Sequence, residues 1–402
     1  MSPPATATPP PIRVGRRVLY LSNVMPIDDS ASGIIVQRHL AELVRQGWDV
    51  TVVDLPQLHS GPVAWHSVPL PVRQWWWPPF RPDRTGVAAL GSIIWRHALR
   101  RAGVARADLV VTICWGPLSW LAAEIARADR CPLVVIVHDH WTERPSDAAA
   151  HRAFQHSCRQ AGKILAVSPE MQAQLTSTFG PKVDVLYPVP AARPSPFATW
   201  RAEHARRPRV AHAGTLLPFH ADYLAALAAV LATAGGELLV VCPAANATLS
   251  VLRQRCPNLV HHDYFPDHRD ALHWIAREAS AVTVMHARRS DGTGRPPTGF
   301  PSRLLELAQL GLPMLLAAPA ANPLAGWARR RSWTALTEPG DVSALTTIVR
   351  GLTAETTWSA LAAETRLAAE GEFNPARIHA QFAAVLSDAS TAAAGPAGPI
   401  RT

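Results

Sequence analysis

A chain of 402 residues is long enough for two domains of ordinary size, each with its own core. With 37 prolines and 23 glycines it is neither fibrous nor wholly disordered. The formal charge of +9 is almost entirely arginine, since Lys163 and Lys182 are the only lysines; without a Lys/Arg run, zinc-finger spacing or an RNA-binding aromatic signature, it argues against a nucleic-acid partner.

Residues 1–15 read as a disordered leader: Met1 to Ile12 is proline-rich and lacks the apolar centre of a signal peptide. No apolar run of about 18 residues follows anywhere, so a cytoplasmic protein is expected, with at most a peripheral contact at the inner face of the membrane. Cys114, Cys131, Cys158, Cys242 and Cys256 are scattered without Cys-x-x-Cys spacing, which suits reduced core thiols and disfavours a zinc site.

Residues 16–190 read as a first α/β domain. The run 17–22 is a buried strand, a loop with Ser30, Ser32 and Gly33 follows, Ile35 to Gln46 has helical spacing, and 50–54 is a second strand. Further strands are expected at 108–114, 132–138 and 163–168, alternating with helices near 119–127 and 151–161. Proline, arginine and alanine crowd 191–207, the composition of a linker. A second alternating series over 208–372 places strands at 210–214, 238–242, 259–261, 281–285 and 314–316. Two doubly wound parallel sheets follow from this pattern. The stretch 373–388 is a terminal helix and 389–402 a small, polar, disordered tail.

The most informative segment is Thr298-Gly299-Phe300-Pro301-Ser302-Arg303-Leu304-Leu305-Glu306, continuing to Gly311-Leu312-Pro313 and the apolar Met314. Pro301 and Ser302 open a helix, and Gly311 and Pro313 close it. Arg303 then stands in the first turn, where a cation opposes the helix dipole unless an anion binds there. Glu306, one turn on, is placed to accept hydrogen bonds from sugar hydroxyls attached to that anion. The plainer alternative is a helix with a surface arginine and glutamate.

Other chemistry-bearing residues fall after strands. Gly33 lets backbone approach a phosphate or sugar, though many βα turns contain glycine. His138-Asp139-His140-Trp141 follows a strand of core character, and either faces a cleft or is a capping aspartate beside surface histidines. His138 and His140 alone are too few for a metal site. His212-Ala213-Gly214-Thr215 opens the second domain, and Arg288, Arg289 and Arg295 crowd the loop before Thr298. Trp75-Trp76-Trp77 with Arg73 and Arg81 suits a bilayer interface, a lipid-linked acceptor or a sugar platform, or else a loop packed on the first domain. No Gly-x-Gly-x-x-Gly, Gly-x-Ser-x-Gly, P-loop or His-Glu-x-x-His motif is present, and the adjacent Asp28-Asp29 is not a spaced Asp-x-Asp.

The segment 298–316 resembles the nucleotide-sugar site of GT-B glycosyltransferases, especially family 4, which pair a proline or glycine loop with a helix glutamate and a Gly-x-Pro before a strand. The resemblance extends over most of 16–390. It implies two facing Rossmann-like domains with a cleft between them, the last helix crossing back to the first. It implies transfer of a sugar from a nucleotide-diphosphate sugar to a glycan or lipid-linked acceptor, with retention, in cell-envelope or exopolysaccharide biosynthesis, with no cofactor or metal. Glu306 would hold the ribose; Gly33, Gly214, Thr215, Ser302 and Arg303 would surround the diphosphate. His138 and Asp139 would serve catalysis, with Trp141 and Trp75 to Trp77 on the acceptor or membrane side. Two departures stand out. Thr298 replaces a glutamate that many members place near the donor sugar, and the arginine and lysine that usually follow Gly214 are missing from Thr215 to His220. They favour the competing expectation of a degenerate protein that binds a glycan or a partner.

Overall fold

The computed structural model describes residues 16–27, 30–54, 65–69, 85–139, 148–193, 196–286 and 298–394. Trp75, Trp76, Trp77, His140, Trp141, Arg288, Arg289, Arg295 and the Asp28-Asp29 pair lie outside them.

Seven parallel strands form the first sheet: β1 Arg17–Tyr20, β2 Asp49–Asp54, β3 His66–Pro69, β4 Leu109–Ile113, β5 Leu133–Val137, β6 Lys163–Ala166 and β7 Val183–Val185. Their order is β3-β2-β1-β4-β5-β6-β7, so the winding reverses between β1 and β4. The central strands are unbroken Leu/Val/Ile runs because helices cover both faces; β4 and β5 are buried along their whole length. A second parallel sheet holds β8 Arg209–Ala213, β9 Glu237–Val241, β10 Leu259–His262, β11 Ala281–Met285, β12 Met314–Ala317 and β13 Leu336–Thr337. It repeats the plan, β10-β9-β8-β11-β12-β13, with its reversal at β8 and β11. Crevices open at these reversals, beyond the carboxyl ends of the strands, which is where ligands sit in such sheets.

Three strands escape the hydrophobic pattern. β3, β7 and β13 are edge strands of four, three and two residues, too short to show a period of their own. Two helix boundaries also differ from expectation. The first helix runs Ala31–Arg45, so Gly33 belongs to its opening turn and not to a loop. Ser30 caps it, its hydroxyl accepting from the Gly33 amide at 3.1 Å. The last helix runs Pro375–Ala394, beyond the expected end at 388, because 389–394 is rich in alanine and Gly395 and Pro396 come only afterwards.

This last helix lies against helix Ala31–Arg45 and strands β4 and β5, joining the end of the chain to the first sheet. Phe382, buried, packs on the His39 ring at 4.5 Å, and the His379 and His39 Nδ1 atoms are 3.2 Å apart. An aromatic cluster binds the two sheets near the helix of the key segment. Phe300 packs on Tyr187 at 5.1 Å and Trp327 at 6.1 Å, and Trp327 stacks on Phe373 at 5.1 Å. Among the described residues no helix is long and apolar enough to cross a membrane.

Candidate active site

The key segment forms helix Ser302–Ala308 between β11 and β12. Leu304, Leu305, Leu307 and Ala308 are buried, which fixes the helix and turns Ser302, Arg303 and Glu306 toward a cavity of about 320 Å³. Gly311 ends it at φ +66°, where an added Cβ would meet Phe197 at 2.4 Å, so only glycine fits. The cavity lies between the sheets. Ser30, Ala31, Ile34 and Arg38 line it from the first, and Gly214, Thr215, Tyr264, Phe265 and His268 from the second.

Arg303 is cationic without an ion-pair partner among the described residues. Its Nη1 donates to His212 Nε2 at 3.1 Å and its Nη2 to the Thr215 carbonyl at 3.2 Å, both neutral acceptors. Burial pushes its guanidinium down to about 10, the mark of a charge taken out of water without compensation. Gly214, at φ +102°, leaves room for it: a Cβ there would stand 3.4 Å from Nη2. His220 and His286 complete the surroundings. His212 and His220 are 5.2 Å apart between ring centres, and burial, followed by the Arg303 charge, depresses all three histidines, His220 to about 3 and His286 to about 4.

Glu306 is more heavily engaged than a waiting acceptor. Its Oε1 accepts from Arg38 of the first domain; its Oε2 accepts from the Ala191 amide at 3.0 Å and from His268 Nε2 at 3.1 Å. Burial raises its carboxyl, but the His268 hydrogen bond and the Arg38 charge outweigh it and hold it below the ordinary range. Arg38 also donates to the Val189 carbonyl at 3.0 Å. Ser302, Arg303, Glu306, Gly214 and Thr215 are thus brought together at one cavity.

The remaining expected residues stand elsewhere. Gly33 is buried and does not line the cavity; a Cβ there would meet the Ile27 carbonyl at 2.5 Å and that of Met25 at 2.7 Å, so its small size serves loop packing. His138 follows β5, half-buried, with a buried Nδ1 that has no hydrogen-bond partner; burial lowers it to about 4. Asp139 beside it is exposed. Thr298 is buried with its hydroxyl unpartnered, and its carbonyl accepts from Ser168 of the first domain at 2.8 Å. Neither His138 nor Thr298 lines the cavity. Among the described residues no group of three His, Cys, Asp or Glu could hold a metal ion. Arg38 and His268, which line the cavity, were not legible as site residues. Each lies near a strand's carboxyl end or on a flanking helix, but no motif marks it.

Residues 33–189 match the family model described as Glycosyltransferase Family 4. No curated protein sequence matches the chain. Several solved structures resemble it throughout. HepE of Anabaena, crystallised with UDP and glucose, has a TM-score of 0.63 at 15% identity, covering 93% of this chain and 100% of its own. A glycosyltransferase of Rickettsia africae ESF-5 has a TM-score of 0.65 at 9% identity, covering 94% and 99%. WaaG, a glycosyltransferase involved in lipopolysaccharide biosynthesis, has a TM-score of 0.57 at 14% identity, covering 92% and 99%. Two facing doubly wound sheets and these structural likenesses show the GT-B fold, and residues 33–189 resemble glycosyltransferase family 4.

Proposed function

We propose that the protein transfers a sugar, with retention of configuration, from a nucleotide-diphosphate sugar to a glycan or lipid-linked acceptor in the building of a cell-envelope or exported polysaccharide. The observation that carries this reading is Arg303, a desolvated cation without a counter-charge among the described residues, one helical turn from Glu306 in an inter-domain cavity. A diphosphate supplies the missing negative charge, and its departure during transfer is stabilised by the same cation. Glu306 holds ribose hydroxyls, and the apolar wall near Phe265, Leu272 and Ile275 receives the base. HepE, bound to UDP-glucose in one crystal, supports a nucleotide-sugar donor, and WaaG supports an envelope glycan as the product class. His138 orients the sugar, with Asp139 beside it; no cofactor or metal enters this scheme.

Thermal unfolding with UDP, GDP, ADP and TDP tests it. A nucleotide at about 100 times its Kd adds about 2.7 kcal/mol of stability. We expect one nucleotide to raise Tm in the native protein and to lose that effect in Glu306→Ala. No shift with any of them in folded protein would sink the donor reading.

One observation favours a second reading, a degenerate binding module: Thr298, with its unpartnered hydroxyl, stands where the resemblance expects a glutamate. Thr298→Glu raises sugar-nucleotide turnover if the protein is an enzyme and leaves a module inert.

A further inference from the structure

Helix His268–Glu278 turns one face to the cavity: His268, Ala271, Leu272 and Ile275 recur at i, i+3, i+4 and i+7, and all four line it. Three of them are apolar, and His268 is the polar exception at the start of the helix. Asp267 caps that start, its carboxylate accepting from the Arg269 amide at 2.8 Å, and Leu272 and Ile275 are buried, so the backbone beneath His268 is fixed. The ring reaches Glu306 Oε2 with its Nε2 at 3.1 Å. Glu306 is held ionised and can only accept, so the proton of this bond is on His268 Nε2.

The two oxygens of Glu306 are unequally occupied. Oε2 accepts from the Ala191 amide at 3.0 Å and from His268, which fills its two lone-pair directions; Oε1 accepts from Arg38 and, among the described residues, keeps one direction open. The terminal torsion of a glutamate is broad and roughly two-fold, so an unanchored carboxylate presents either oxygen. With Oε2 tied at two points, by backbone and by a ring on a capped helix, the plane of the carboxylate is set and Oε1 is the oxygen left for a ligand. Without the ring, the single bond from Ala191 lets the carboxylate rock about it.

We propose that His268 is a positioning residue for ribose recognition: by closing Oε2 of Glu306 it commits Oε1 to the ribose hydroxyls, and so makes the site distinguish a ribonucleotide from its deoxy forms. This rests on reading Glu306 as the residue that holds the ribose, and it adds a second residue, on a different helix, that decides how sharply the ribose is read. His268 acts through Glu306. A carboxylate oriented before the ligand arrives loses less freedom on binding, and that advantage is realised only by a ligand with a hydroxyl to donate.

The test is calorimetry of the full-length protein with UDP, GDP and ADP, each beside its 2′-deoxy and 3′-deoxy forms. The native protein should bind one ribonucleotide about tenfold or more tightly than at least one of its deoxy forms, the difference of one hydrogen bond to a charged group. His268→Ala should weaken that ribonucleotide about tenfold and the deoxy form by less than about threefold, so that the discrimination collapses. His268→Gln, whose amide nitrogen reaches the Nε2 position, should keep it within about threefold of native. The side chain of His268 is 40% exposed, so its removal opens no hole in the core. A merely structural role would weaken ribonucleotide and deoxy form alike, and that result overturns the proposal. So does an Ala variant that discriminates as the native protein does, or a native protein that binds nucleotides without regard to the ribose hydroxyls; in all three cases the donor reading stands. If the native protein binds none of the nucleotides, the donor reading falls and the role of His268 falls with it.

Discussion

At the scale of single residues the site turns on how Glu306 divides its acceptor capacity. A carboxylate offers about four lone-pair directions, and three are taken by Arg38, the Ala191 amide and His268. In the proposed donor complex, a ribose that presents two hydroxyls displaces one of these donors. Arg38 is the one to yield, because it comes from the other domain and retains its bond to the Val189 carbonyl. Arg38→Met should therefore tighten nucleotide binding about threefold to tenfold, a gain of about 0.7–1.4 kcal/mol. Weaker binding in this variant would instead make Arg38 a direct contact of the nucleotide. The sequence marked Glu306 and Arg303 because both lie on a helix whose opening and closing residues are readable locally. It could not mark Arg38 or His268, whose roles depend on the approach of two domains and on no local spacing.

At the scale of elements, the helices and central strands were legible wherever burial imposes a period. β4 and β5 are continuous apolar runs, and helix Ser302–Ala308 alternates buried leucines with cavity residues. The edge strands and the first turn of helix Ala31–Arg45 were not, since short edges carry few core residues and Gly33 resembles a loop glycine. Gly33 stands where two carbonyls leave no room for a Cβ, a packing requirement that the residue type alone does not reveal. The last helix ties the chain's end to the first sheet chiefly through Phe382, which is 1% exposed and packs on His39. Phe382→Ala should cost about 3–5 kcal/mol of unfolding free energy, read from denaturant midpoints. A loss under about 1 kcal/mol would show that the helix docks without helping to hold the first domain together.

At the scale of the whole molecule, the buried histidines couple stability to pH, and the coupling reports on the site. His39, His204, His212 and His220 are each no more than 2% exposed and are held neutral, their folded values lying below the ordinary 6.5. Above pH 6.5 neither folded nor unfolded chain protonates these rings, so they add no pH dependence there. Below it the unfolded chain binds protons that the folded chain refuses, and stability falls as pH falls. For His220 the window runs from about 6.5 down to about 3, and for His204 down to about 4. A ring that protonates only when unfolded costs about 1.4 kcal/mol per pH unit within its window. Four such rings at pH 5 remove a large part of the 5–15 kcal/mol that keeps an ordinary domain folded. Tm should therefore change little between pH 8 and 7 and drop steeply between 6.5 and 5. In the proposed donor complex a diphosphate modifies this in a definite direction. The Arg303 charge is among the causes that hold His212, His220 and His286 neutral, and an anion against Arg303 cancels part of its field. Their folded values then rise toward 6.5, and the acid limb of the Tm profile becomes shallower with saturating UDP than without it. Profiles that stay parallel, displaced only by the stabilisation from binding, would place the diphosphate away from Arg303 and its histidines.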